Sequence, residues 1–161
     1  MLAILVLCVI LIPWSGAGAI WLLGDNRPKA QHAVAVGISV LAALCAILLM
    51  LNTQTEIVLS IPVGIFFQSA SFKADGLGAF LTLVSTCIGS LTVLFSVAYM
   101  HGEKQLGRYY SLILIFIGAM CGIVLSNSLL FLFFFWEITA LCSYALISFY
   151  NDDPKAVAGG I

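Results

Sequence analysis

YYSLILIFIGAMCGIVLSNSLLFLFFFWEITALCSYALISFYN, running from Tyr109 to Asn151, contains a single charged residue, Glu137. An apolar helix needs about 20 residues to cross a bilayer, so this run is long enough for two crossings. The polar cluster Ser126-Asn127-Ser128 near its middle marks a tight reversal, and the run reads as two consecutive spans, the fourth and fifth of the chain.

The same reading extends outward. Uncharged stretches place span one at Leu2 to Leu23, span two at His32 to Leu51 and span three at Asp75 to Met100. Met1 to Ile12, followed by small residues, resembles a secretion signal. It lacks a positive leading region and the apolar character resumes through Leu23, so a retained first span is expected. The segment Glu56 to Lys73 is apolar but short, carries Pro62 and Gly64, and is rich in Ile, Val and Phe. That composition favours extended chain, and an interfacial β-hairpin is expected, with a re-entrant or surface-lying loop as the alternative. The expected fold is an all-α, polytopic membrane helix bundle of five transmembrane helices with a short β-hairpin between the second and third. It forms a single membrane domain over residues 1–161, with no internal repeat.

Composition agrees and excludes much else. Of 161 residues, 63% are hydrophobic and 8% charged, with a mean hydropathy of +1.18, whereas soluble domains are about a quarter charged. Six Lys and Arg against seven Asp and Glu cannot cradle a phosphate backbone, which excludes nucleic acid as a partner and leaves the lipid bilayer. Cys8, Cys45, Cys87, Cys121 and Cys142 fall one per hydrophobic stretch, without the pairing a zinc or iron-sulfur site requires. They read as packing, with no metal or cofactor on this chain. His32 and His101 lie at span ends rather than facing each other deep in a bundle, which argues against haem. No nucleophile elbow, P-loop, zincin or dinucleotide motif is present, so bond chemistry on this chain is not expected. Basic residues set orientation: Arg27, Lys29, Lys104, Arg108 and Lys155 fall on one side and Lys73 on the other. The amino terminus is therefore expected outside and the carboxyl end in the cytoplasm.

Glu137 is the informative side chain. With span five starting near Ser128 it lies roughly 13 Å in, close to the middle of a hydrocarbon core about 30 Å thick. A carboxylate there is costly unless it meets water, a cation or a donor, and it suits proton or cation relay. The bland alternative is a carboxyl that locks two helices together. Tyr144 shares a helical face with Glu137, and Thr139 lies on an adjacent polar stripe. Ser85 and Thr86 belong to a second stripe on span three. Together these four are candidates for a polar path, although such hydroxyls equally bond back to their own helix carbonyls. Gly118 and Gly122 form a G-x-x-x-G that predicts close helix approach. Asp75, before Gly76, is expected to cap and anchor span three.

These residues resemble a known family. Phe72-Lys73-Ala74-Asp75-Gly76-Leu77 opens a span, Tyr99-Met100-His101 and Arg108-Tyr109-Tyr110 follow, and Phe135-Trp136-Glu137-Ile138-Thr139 leads into Leu141-Cys142-Ser143-Tyr144. The pattern is similar to the antiporter-like membrane subunits of respiratory complex I, multisubunit cation/proton antiporters and energy-converting membrane-bound hydrogenases, and around Glu137 it looks closer to the hydrogenase branch. The resemblance covers Phe72 to Ile161. It implies that Glu137 is the family's essential glutamate in proton or sodium translocation, that the hairpin contacts a neighbouring subunit, and that the membrane is an energy-converting plasma or inner membrane. It also implies partner membrane subunits and peripheral redox subunits, with iron-sulfur clusters or other redox centres on those partners. The departure is length: family members are several hundred residues long, this chain stops near the expected sixth helix, and no intramembrane lysine is present. A truncated chain, a split subunit or a degenerate copy would each explain this. A structural or assembly module that moves no ion is the alternative function.

Overall fold

A computed structural model describes residues 2–24, 27–53, 57–63, 67–103, 105–150 and 154–159. Five of its helices are long and apolar enough to cross a membrane: α1 (Leu2–Leu23), α2 (Pro28–Asn52), α3 (Gly76–Tyr99), α4 (Leu106–Leu125) and α5 (Leu129–Ile147). A two-stranded antiparallel hairpin, β1 (Ile57–Val63) and β2 (Phe67–Ala74), stands between α2 and α3, and a short α6 (Pro154–Gly159) follows α5. The chain is an integral membrane protein. Glu56, Gly64 and Lys104, which entered the sequence reading, lie outside the described residues.

Boundaries shift where local chemistry overrides hydropathy. α2 starts at Pro28 rather than His32, because proline's fixed φ and missing N–H suit the first turn of a helix. His32 is thereby drawn one turn into the span. α4 likewise starts at Leu106 rather than Tyr109, behind Gln105 in the left-handed region at φ 64°. Asp75 caps α3 as expected, its Oδ1 accepting from the Gly78 N–H at 2.7 Å, and Lys73 lies 3.8 Å from its carboxylate. In the hairpin, Val58 pairs with Lys73 and Leu59 with Phe72, and the register slips between Ile61 and Val63. Pro62 stands at the slip, where a residue without an N–H cannot hold the ladder.

α4 is the centre of the bundle, packing against α1, α2, α3 and α5. Its apolar window is 56% buried within the chain, against 11% for α5, which docks mainly on α4. Gly118 and Gly122 explain the close approach, but each receives a different helix. A Cβ at Gly118 would lie 2.5 Å from the Trp14 ring and 2.8 Å from the Ile10 carbonyl oxygen of α1, whereas one at Gly122 would lie 2.5 Å from the Phe135 ring of α5. The spacing read as a single helix-pair motif is thus two notches for two partners. Polar bonds between helices add to this: Trp14 Nε1 donates to the Ile115 carbonyl at 3.1 Å, Ser111 Oγ to that of Ala17 at 2.9 Å, and Ser90 Oγ to that of Ser39 at 2.8 Å.

Gly118→Val is expected to destabilise the bundle by about 1–3 kcal/mol, because the Ile10 backbone cannot move aside. Gly18→Val, at a position where a Cβ meets nothing within 4 Å, is the matched control. Unfolding in mixed micelles of increasing denaturing detergent measures both, and equal midpoints for the two variants would contradict this packing.

Candidate functional site

α5 carries Glu137 because its sequence has a continuous apolar surface and only one side of it finds partners in the bundle. Phe135 and Cys142 are its buried residues, both turned toward the bundle. Phe135 seats against Gly122 and lies 5.8 Å, centroid to centroid, from Trp14 and 6.2 Å from Phe72 of the hairpin. Two residues on, and about 200° around the helix, Glu137 emerges on the opposite, exposed face. Phe133, Trp136, Leu141 and Tyr144 are exposed with it. Glu137 is the ninth residue of a 19-residue span, half-way along it, and the only acid within the five spans.

The other sequence candidates separate into distinct surroundings. Tyr144 shares the exposed face with Glu137. Thr139 donates back to the Trp136 carbonyl at 2.7 Å. Thr86 is fully buried and committed to its own helix, bonding the Thr82 and Leu83 carbonyls at 2.9 and 3.0 Å. Ser85 instead lines a cavity of about 630 Å³ between α3, α4 and α5, together with Ile88, Gly89, Phe116, Met120 and Ser143. Glu137 is not among the residues lining that cavity. The described residues therefore bring Glu137 and Tyr144 together, and keep Ser85 and Thr86 apart from them. No cluster of three His, Cys, Asp or Glu side chains converges among the described residues.

Two arrangements escaped sequence reasoning. His32 Nδ1 lies 2.6 Å from the hydroxyl of fully buried Tyr110, their rings edge to face at 5.3 Å. Reading Pro28 as a helix start would have revealed it. The Ser126-Asn127-Ser128 reversal also holds the hairpin: the Asn127 N–H donates to the Ser71 carbonyl at 2.8 Å and its Nδ2 to Ser71 Oγ at 3.2 Å. Phe72 then packs on Phe131 and Phe135. The hairpin is thus tied to the helix that carries Glu137.

Residues 61–110 match the family described as NADH-ubiquinone oxidoreductase (complex I), chain 5 N-terminus. This is the segment of the hairpin, α3 and the start of α4. Over this segment the chain is similar to that family. The chain is 44% identical over 94 residues to Na(+)/H(+) antiporter subunit A1 of Staphylococcus aureus (strain bovine RF122 / ET3-1), an alignment covering 58% of this chain and 12% of that protein. The corresponding subunit of Staphylococcus haemolyticus (strain JCSC1435) is 45% identical over 85 residues, covering 53% and 11%. These relatives carry antiporter names. Among solved structures, the fold recurs in an archaeal respiratory membrane complex, the membrane-bound sulfane sulfur reductase, with a TM-score of 0.83 at 20% identity over 96% of this chain and 32% of that one. It recurs also in the Mrp complex from Dietzia sp. DQ12-45-1b, with a TM-score of 0.77 at 22% identity over 94% and 16%. The chain spans about an eighth of the length of the antiporter subunits it matches.

An exposed mid-span carboxyl predicts selective chemistry. Dicyclohexylcarbodiimide, which partitions into the bilayer, is expected to label Glu137 of the chain in lipid vesicles, whereas a water-soluble carbodiimide reaches only interfacial carboxyls. Peptide mass mapping reads the adduct, and its absence would place Glu137 on a covered face.

Proposed function

We propose that this chain forms part of a cation/proton-translocating membrane subunit of a multisubunit energy-converting complex, with Glu137 as the relay. The observation that carries the reading is the position of Glu137, the sole acid of the five spans, half-way along α5 and on its unpartnered face. An ionised acid facing lipid at mid-bilayer costs about 3 kcal/mol or more. The face is therefore to be covered by another membrane helix or a water-filled path that gives the carboxyl a partner. The antiporter subunits among its sequence relatives support proton exchange against sodium as the work done.

Orientation and partners follow the same reading. Arg27, Lys29, Arg108 and Lys155 gather at the bundle end opposite the hairpin, where Lys73 lies, and this asymmetry supports an amino terminus that faces outside. The cysteines sit one per helix, buried or half-buried, so iron-sulfur clusters or other redox centres of a redox-driven complex are assigned to peripheral partner subunits. The hairpin, fixed to the α4–α5 turn, is the surface for a neighbouring membrane subunit.

Glu137→Gln in the assembled complex is expected to reduce cation/proton exchange by tenfold or more in everted vesicles, read with a pH-sensitive dye. Glu137→Asp, which keeps the titrating group, should retain a measurable fraction. The second reading, an assembly module, draws on the α4 notches: it requires Glu137→Gln to leave exchange intact while Gly118→Val disrupts co-purification of the partner subunits.

A further inference from the structure

At the end of the bundle opposite the hairpin, the first turn of α2, the α3–α4 loop and the start of α4 enclose a cleft of about 570 Å³. Pro28, Lys29, His32, His101, Glu103 and Gln105 line it. Three spans begin or end here, so the cleft lies where the helices leave the hydrocarbon and phospholipid phosphates reside.

Its chemistry favours an anion. Lys29 and His101 are exposed side chains from separate elements, and no carboxylate pairs with Lys29 among the described residues. Against these the lining holds one acid, Glu103, an exposed side chain. His32 is held in place by Tyr110, 2.6 Å from its Nδ1. In the tautomer in which the buried phenol donates to Nδ1, the other ring nitrogen carries the proton and serves as the donor to the cleft. α2 and α4 both start here without a side-chain cap or an acid in the first turn, leaving the positive ends of their dipoles uncompensated. Pro28 and Leu106 supply apolar wall beside these donors.

We propose that this cleft binds the phosphate headgroup of an anionic phospholipid, with Lys29 as the charge partner and His101 and His32 as hydrogen-bond donors. A zwitterionic lipid brings its own cation to a surface already rich in them and is disfavoured.

The test is native mass spectrometry of the full chain released from nanodiscs of equimolar dioleoyl phosphatidylglycerol and dioleoyl phosphatidylcholine. Phosphatidylglycerol adducts are expected to outnumber phosphatidylcholine adducts. Lys29→Gln, an exposed change in the first helical turn that leaves the core untouched, should cut phosphatidylglycerol retention about fivefold. His101→Gln should lower it further, and Lys73→Gln at the opposite end should leave it unchanged. Equal retention of the two lipids, or wild-type retention in the Lys29→Gln His101→Gln variant, would overturn the proposal. Displacement of phosphatidylglycerol by millimolar inorganic phosphate would also overturn it, since the site would then recognise free anion rather than lipid.

Discussion

The bundle depends on two aromatic rings seated in two glycine notches of one helix. Lipid tails are as apolar as leucine, so burial gives little reason for one transmembrane helix to choose another, and close packing has to supply it. α4 supplies it with Gly118, which admits Trp14 of α1, and Gly122, which admits Phe135 of α5. The Trp14 indole then donates to the α4 backbone at Ile115, turning a steric fit into a directional one. Because both notches are on α4, the rotation of α1 and that of α5 are set against the same rigid reference.

This constraint reaches the candidate site without touching it. Phe135 can enter its notch in only one rotation of α5, and in that rotation Glu137 faces away from the bundle. The hairpin reinforces the setting from above, since Phe72 packs on Phe131 and Phe135 while Ser71 is bonded by Asn127. A position that lipid alone would oppose is therefore held by the contacts of Phe131 and Phe135 on the same helix.

Five spans, the hairpin and the Asp75 cap were legible because each rests on local chemistry: run length, Pro and β-branched content, and an Asp three residues before the helix N–H it accepts from. The starts of α2 and α4 were less so, since hydropathy locates apolar residues while Pro28 and the left-handed Gln105 decide where the helix begins. Glu137 stood out as a lone charge, but its outward direction did not, because α5 is apolar all round and its sequence names no buried face. The separation of Ser85 from Thr86 had the same origin: adjacent residues sit about 100° apart on a helix, and only the placement of α2, α4 and α5 around α3 tells which hydroxyl meets a cavity and which meets its own carbonyls. The partnership of Gly118 and Gly122 with two different helices required knowing the three-dimensional neighbours.

The bond from Trp14 to Ile115 joins residues 101 positions apart. At synthesis rates of about 5–20 residues per second, α1 reaches the membrane some 5–20 s before the helix that accepts its indole N–H. Through that interval the Trp14 N–H lacks its α4 acceptor, while Gly16 packs against Ile38 of α2. The order of emergence thus lets α1 and α2 pair before α4 arrives, and α4 then fixes the rotation of α1 through the Gly118 notch.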